Sequence, residues 1–114
     1  MTTEVESKES EREAEMALVC DVNLAGNLCR ALGSKFRIKI MEVLKRYGPE
    51  MTLDALVKKC AEEGYYMQVS SAQFHLRKMQ QYAQMVEMTK EPSSTTVRLL
   101  RYVQIGLDEL KRTG

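Results

Sequence analysis

The fold is decided by residues 67–79, MQVSSAQFHLRKM, which carry the start of a helix with two unlike faces. Ser70 followed by Gln73 is a capping-box pattern, so the helix is predicted to begin at Ser70. Its apolar face recurs at helical spacing, at Ala72, Leu76, Met79 and Ala83. The opposite face carries Gln, Arg and Lys, and residues 70–84 contain no Asp or Glu. We therefore expect one face of this helix to be buried and the other to suit a polyanion.

A β-hairpin is predicted directly after this helix. Residues 85–89 and 96–102 change from helical to extended periodicity and indicate two strands. Residues 90–95, KEPSST, form a polar segment between them that is typical of a flexible hairpin tip. A last helix is predicted over 103–112, with Val103, Leu107 and Leu110 on one side.

Three further helices are predicted upstream. The first covers about 12–32 with a break near 22, where Asp21 and Asn23 are the candidate caps, and it carries a stripe of Met16, Cys20, Leu24, Leu28 and Leu32. Ser34 caps the second, which Gly48-Pro49 ends because glycine suits a left-handed residue and proline cannot continue the helix. Thr52 caps the third, which Gly64 ends, and its apolar stripe is Leu53, Leu56, Val57 and Cys60.

Length and composition indicate one soluble domain. The chain has 114 residues, 44 % of them hydrophobic and 29 % charged, and no apolar run approaches the ~20 residues that span a bilayer. A secretory signal pattern is absent, so the expected location is the cytoplasm, in association with the nucleoid. Residues 1–11 are predicted to be a disordered acidic N-terminus, and residues 12–114 the folded domain.

The net charge of +1 hides an asymmetry along the chain. Residues 1–22 hold seven acids and two bases, which leaves nine acids and fifteen bases, a net +6, for residues 23–114. A basic domain behind an acidic lead-in favours a polyanionic partner, while a solvated surface with an acidic tail explains the charge equally well.

The chemistry-bearing residues point away from catalysis and from metals. The three cysteines are scattered and odd in number, which favours buried thiols over a disulfide, although one bridge stays open. His75 is the only histidine, and no Ser-His-Asp set, phosphate loop or dinucleotide motif is present. We expect no enzymatic activity, no cofactor and no metal site, since zinc and soft metals need several converging ligands.

Two segments resemble the ArsR-like family of winged helix-turn-helix regulators, in an archaeal-type variant. Residues 31–44, ALGSKFRIKIMEVL, are similar to the opening signature of the family, and residues 67–79 are similar to its recognition segment, including the pair His75-Leu76. Ser34-Lys35 stand where the family has Asp-Pro, and the turn at 82–86 also departs from it. Leu53-Asp54-Ala55-Leu56 lack the Cys-x-Cys of the metal-sensing members. Phe74 takes a usually polar position, where contact with a thymine methyl and packing under the wing are both open.

The resemblance implies a mainly α fold with a small β-hairpin, a winged helix-turn-helix, in which the first and last helices pair two subunits. Such a homodimer presents two recognition helices to successive major grooves about 34 Å apart. The implied function is transcriptional regulation through sequence-specific binding of double-stranded DNA, with repression of a promoter as its mode. The predicted DNA-binding residues are Ser70, Ser71, Gln73, Phe74, Arg77, Lys78, Lys90 and Arg98. The predicted dimer interface is Met16, Cys20, Leu24, Leu28, Val103, Leu107 and Leu110.

Two other classes remain open. Winged helices also serve as protein-interaction modules, which do not require an acid-free helix face. A sequence-tolerant chromatin protein is the second alternative, and the glutamine-rich helix face and moderate charge favour specific binding over it.

Overall fold

The computed structural model describes residues 14–16 and 21–104. The helices are α1 Val22–Ala31, α2 Lys35–Tyr47, α3 Leu53–Glu62 and α4 Val69–Ala83. The strands are β1 Glu15–Met16, β2 Glu50–Thr52, β3 Val86–Lys90, β4 Thr95–Leu99 and β5 Arg101–Tyr102. Strands β2, β4 and β3 form an antiparallel sheet in that order, and β1 pairs with β5 in parallel. The described part is thus mainly helical with a small antiparallel sheet.

Side-chain caps start three of the helices where the sequence predicts them. The Asp21 carboxylate accepts the Leu24 N–H at 3.3 Å to start α1. Ser34 starts α2 by accepting the Phe36 N–H at 3.2 Å. Thr52 likewise starts α3, where the Thr52 hydroxyl accepts the Ala55 N–H at 3.2 Å. Each cap satisfies one backbone donor that the first turn leaves unpaired.

The predicted capping box of α4 is wrong. This helix begins one residue earlier, at Val69, and its N-cap residue Gln68 makes no side-chain capping bond. The Ala72 N–H bonds to the Gln68 carbonyl at 2.9 Å, so the helical ladder already includes Ser70. Ser70 therefore lies inside the first turn, exposed.

Glycine ends α2 for a different reason from the predicted one. Gly48 has φ −95° and ψ −134°, which is not left-handed. A Cβ at Gly48 would lie 2.5 Å from the Leu44 carbonyl oxygen and 2.8 Å from the Glu50 nitrogen. The chain turns too closely over the end of α2 for any side chain. At Gly64, φ is +91°, so the prediction that glycine ends α3 is confirmed with its conformational reason.

Several predicted boundaries are corrected. The helix predicted from about 12 to the break near 22 is wrong at residues 15–16, which are a strand paired with 101–102, whereas the part predicted after the break is confirmed as the helix 22–31. The single strand over 96–102 is interrupted at Leu100, where the Leu100 N–H turns to the Met85 carbonyl at 2.7 Å. Residues 103–104 are not helical, and the remainder of the predicted last helix lies outside the described residues. So does the predicted disordered segment 1–11.

One core joins the four helices to the sheet. Helix α1 packs along α4, and both contribute to the apolar cluster. Leu76, Met79 and Leu56 are fully buried at its centre, together with Val86 and Val97 from the sheet. No helix in the described ranges is long and apolar enough to cross a membrane.

Cys60 is part of this core. Its side chain is completely buried, and burial raises the pKa of the Cys60 thiol to about 11. The prediction of a core thiol is confirmed for Cys60. Cys29, by contrast, is a free, exposed thiol on α1.

Candidate nucleic-acid interface

Helices α3 and α4 are joined by a tight turn that fixes their relative position. The Tyr65 N–H donates to the Cys60 carbonyl at 2.8 Å, and the Gly64 N–H donates to the Ala61 carbonyl at 3.0 Å. These two bonds around a left-handed glycine form a Schellman motif, which satisfies carbonyls at the end of α3. Residues 65–68 then lead from this motif to α4.

An ionic cluster holds this turn against α2. Lys39 Nζ lies 2.9 Å from the Glu63 carboxylate, and Arg46 Nη1 lies 3.0 Å from the other Glu63 oxygen. The hydrogen bond from Lys39 lowers the pKa of Glu63, and the same bond raises the pKa of Lys39. The Lys39 ammonium also lies 5.0 Å from the ring centroid of Tyr65. Glu63 and Tyr65 therefore both attach the α3–α4 turn to α2.

Helix α4 has the two faces that the sequence predicts. Its buried residues are Ala72, Leu76, Met79 and Ala83, as expected. Since successive residues rotate by 100°, the side directly opposite carries four exposed residues: Ser70, Phe74, Arg77 and Gln81. No carboxylate lies on α4. The outward face of α4, defined by these four residues, therefore offers hydrogen-bond donors, one full positive charge and one aromatic ring.

The predicted reader residues occupy different parts of this surface. Arg77 is exposed on the outward face of α4, while Gln73 is half-buried on its flank. Ser71 is exposed on the opposite flank, on the side of Lys78. Lys78 is half-buried because its ammonium lies along the helix, 5.4 Å from the Phe74 ring centroid and 5.6 Å from that of Tyr82. Four of the predicted DNA-binding residues, Ser70, Phe74, Arg77 and Lys78, thus form one continuous surface with Ser71 and Gln73 beside it.

His75 makes a second contact between α4 and α2. Its partner there is Arg37, which the sequence analysis missed. Arg37 Nε donates to His75 Nδ1 at 3.1 Å, and Arg37 Nη1 donates to the Arg30 carbonyl at 3.0 Å. The Phe36 ring stacks on His75 with centroids 5.9 Å apart and planes 17° apart. Arg37 thereby joins α1, α2 and α4 and places a cation on the flank of α4 that faces α2. Nothing in the sequence links Arg37 to His75, which are 38 residues apart.

The pKa of His75 gives a testable pH dependence. Burial lowers this pKa, and the nearby Arg37 charge lowers it further. Because the folded pKa lies below the unfolded value of about 6.5, the folded state favours the neutral ring. The contribution to stability is complete above that value and is lost as the pH falls through the folded pKa. Between pH 8 and pH 5, the wild type should lose more thermal stability than His75→Asn.

Asparagine is the matched variant because its carbonyl oxygen sits close to the position of Nδ1 and accepts from Arg37 without titrating. Melting temperatures followed by circular dichroism across this range provide the comparison. Parallel curves for the two proteins would show that His75 does not contribute to the acid sensitivity.

The hairpin of β3 and β4 presents one predicted cation at its tip. Lys90 is exposed and pairs across the strands with Thr95. The tip is closed by two backbone bonds, from the Glu91 N–H to the Ser94 carbonyl at 2.8 Å and from the Ser94 N–H to the Glu91 carbonyl at 3.2 Å. Lys90 therefore projects from a well-defined turn, next to one acidic residue.

Arg98 has a different environment. In the sheet register it lies directly between Glu50 of β2 and Glu87 of β3. Side chains of directly paired residues lie on the same face about 5 Å apart, so two carboxylates flank this guanidinium. Arg98 is thus placed among carboxylates of its own sheet, away from the tip that carries Lys90.

The predicted dimer residues are only partly within the described ranges. Leu28 is 4 % exposed and belongs to the core of the chain itself, and Leu24 is half-buried. Val103 does reach α1, where the two form an apolar groove of about 320 Å³ lined by Ala25, Leu28, Cys29, Leu32 and Val103. Cys20, Leu107, Leu110 and the Met16 side chain lie outside the described residues.

Comparisons with protein-family models, with curated proteins and with solved structures gave no match. Within residues 14–16 and 21–104, no three His, Cys, Asp or Glu side chains are grouped so as to hold a metal ion. Polar and cationic groups are instead concentrated on the outward face of α4, on the α2 residues that contact this helix, and at the tip of the β3–β4 hairpin.

Proposed function

We propose that this protein is a winged helix-turn-helix transcriptional regulator that binds double-stranded DNA sequence-specifically as a homodimer and represses by occupying a promoter. The observation that carries the proposal is the outward face of α4. It is free of acids, it is exposed, and its helix is anchored to the neighbouring elements. In this proposal α4 is the recognition helix, because a major groove about 12 Å wide admits one α-helix whose outer side chains reach the base edges.

The order of elements supports this assignment. Strand β2 lies between α2 and α3, the α3–α4 pair follows, and the β3–β4 hairpin comes next and adds β2 on its free side. This arrangement is compatible with a winged helix, in which the hairpin is the wing. Lys90 at its tip is then positioned to meet a phosphate when α4 enters the groove.

The distribution of cations around α4 also favours DNA. Arg37 is held beside the helix by His75, and the exposed Arg30 and Lys35 lie in the adjoining ends of α1 and α2. Phosphate contacts of this kind position a protein on the duplex, while groove-facing side chains read the bases. Arg77 is suited to paired hydrogen bonds with guanine and Gln73 to paired bonds with adenine.

The dimer part of the proposal is supported by the apolar groove on α1. Apolar surface left in water favours association, and the groove lies on the helix that packs along α4. A second copy joined through α1 would therefore fix the distance between two recognition helices, as two half-sites require.

The two alternatives make different demands on the surface. A protein-interaction module does not need an acid-free helix face. Exposed Arg77 and Phe74 would suit a protein partner as well as a DNA groove, and it is the cations around them that favour DNA. A sequence-tolerant chromatin protein needs phosphate contacts alone, whereas α4 exposes glutamine and arginine that are capable of reading bases.

Selection of bound duplexes from a randomised pool, followed by footprinting, separates the three classes. The proposal expects a two-fold-related pair of half-sites about 10 base pairs apart, protected with two chains per duplex. Enrichment of no sequence with tight binding would support the chromatin alternative. Absence of binding to any duplex at low salt would support the interaction module.

A salt-dependence measurement tests the wing. If Lys90 contacts a phosphate, Lys90→Ala should weaken binding to all sequences alike and make the plot of log affinity against log salt shallower by about 1. Lys45→Ala is the matched control, since it removes the same charge from the surface beside Ala14, Tyr102 and Leu99, away from α4 and the hairpin tip. An unchanged slope for Lys90→Ala would remove the wing from the interface.

A further inference from the structure

Phe74 is the one feature of the outward face of α4 that phosphate binding does not explain. Its side chain is 47 % exposed, at the centre of a surface otherwise made of polar and cationic groups. Exposed phenylalanine on a reading surface points to an apolar partner, because its ring offers no hydrogen bond to bases or phosphates.

The position of the ring decides between the two interpretations left open by the sequence. The ring contacts of Phe74 that the described part of the chain shows come from α4 itself. The His75 ring meets it edge-on with centroids 5.8 Å apart and planes at 66°, and Lys78 Nζ lies 5.4 Å from its centroid. Packing under the wing would bury the ring against β3 and β4. Instead, the ring stands outward from the helix.

We propose that Phe74 reads thymine through its 5-methyl group. This inference rests on the proposed function and adds a base to it. Among the groups on base edges in the major groove, the thymine methyl is the apolar one, and contact with a phenylalanine removes both from water. The ring is preorganised for this contact by His75 and Lys78, so little conformational freedom is lost on binding.

Lys78 gains a defined place in the same arrangement. Its ammonium is held above the Phe74 ring on the side that leads to Tyr82. A cation in that position is suited to the phosphate that flanks the thymine, which would fix the ring against the methyl group. The pair Phe74–Lys78 therefore forms one unit, with an apolar reader and a cation that positions it.

The experiment replaces each thymine of a selected duplex, one at a time, by uracil, which lacks the methyl group and keeps every hydrogen-bonding group. At one thymine in each half-site, the wild type should lose about fourfold in affinity, the value expected for a buried methyl group. Phe74→Ala should bind the thymine and uracil duplexes equally. Gln81→Ala is the comparison variant: any affinity that it loses should be lost equally on both duplexes, so its uracil penalty should remain about fourfold.

The outcomes separate this inference from the proposed function. Selective binding by the wild type with no uracil penalty at any position would overturn thymine reading and leave DNA recognition intact. A uracil penalty that persists in Phe74→Ala would also overturn it, by assigning the methyl contact to another residue. Failure of the wild type to select any duplex would refute the proposed function itself. Melting temperatures of the variants confirm folding, and because Phe74 is exposed, Phe74→Ala should melt close to the wild type.

Discussion

Leu76→Ala should lower the free energy of unfolding by roughly 2–5 kcal/mol, the range found when a fully buried leucine is truncated. Leu76 is completely buried on the core face of α4, so its loss leaves a cavity between this helix and the rest of the core. Because a domain of this size has only about 5–15 kcal/mol of stability in total, this loss is a large fraction of it, and the variant should unfold at a clearly lower urea concentration than the wild type. Urea denaturation followed by circular dichroism measures the change.

Leu100→Ala is the matched control for this measurement. Leu100 is 39 % exposed at the interruption between β4 and β5, and its truncation should change stability by less than about 1 kcal/mol. Equal destabilisation by the two substitutions would contradict the assignment of Leu76 to the core and, with it, the orientation of α4.

Arg77→Ala and Gln73→Ala should have the opposite effect, a loss of selectivity with little loss of stability. A lost pair of hydrogen bonds to a base is typically worth about 1–3 kcal/mol, so binding to a selected duplex should fall about tenfold or more. Thermal stability should stay within about 0.5 kcal/mol of the wild type, since Arg77 is exposed and Gln73 lies on the flank of the helix. Binding to random DNA should fall less for Gln73→Ala, which removes no charge.

Arg77→Lys provides the control for charge. Lysine keeps the positive charge but lacks the planar fork that makes two parallel bonds to guanine, so it should retain affinity for random DNA and lose selectivity. Fluorescence anisotropy on selected and scrambled duplexes distinguishes these outcomes. Full selectivity in both Arg77→Ala and Gln73→Ala would mean that α4 is not the recognition helix, and the interaction-module alternative would then be favoured.

Local sequence patterns predict the helical part of the fold well because its signals lie close together. The caps Asp21, Ser34 and Thr52 precede their helices by one residue, and the buried stripe of α4 follows from spacing alone. Where the structure differs, a long-range contact is responsible. Residues 15–16 have helix-forming neighbours yet pair with a strand more than eighty positions away, and β2 is too short to leave a pattern.

The candidate site follows the same division. The helical spacing of the apolar residues is enough to place Arg77 on the outward face of α4, whereas the orientation of Phe74 stays open until its exposure is seen in the structure. The support for that face depends instead on tertiary contacts, such as the one between Arg37 and His75, which no sequence spacing encodes. Arg98 is a second case, because its flanking by Glu50 and Glu87 depends on the register of three strands.

The buried thiol of Cys60 gives the protein an internal reporter of its own opening. A thiol reagent attacks the thiolate, and a Cys60 pKa of about 11 keeps that form scarce near neutral pH. Complete burial also keeps the reagent away while the four helices stay packed. Alkylation of Cys60 therefore requires the core to separate, and its rate at different concentrations of reagent measures how often that happens in the native protein. The exposed Cys29 reacts without such an event and supplies the reference rate within the same molecule.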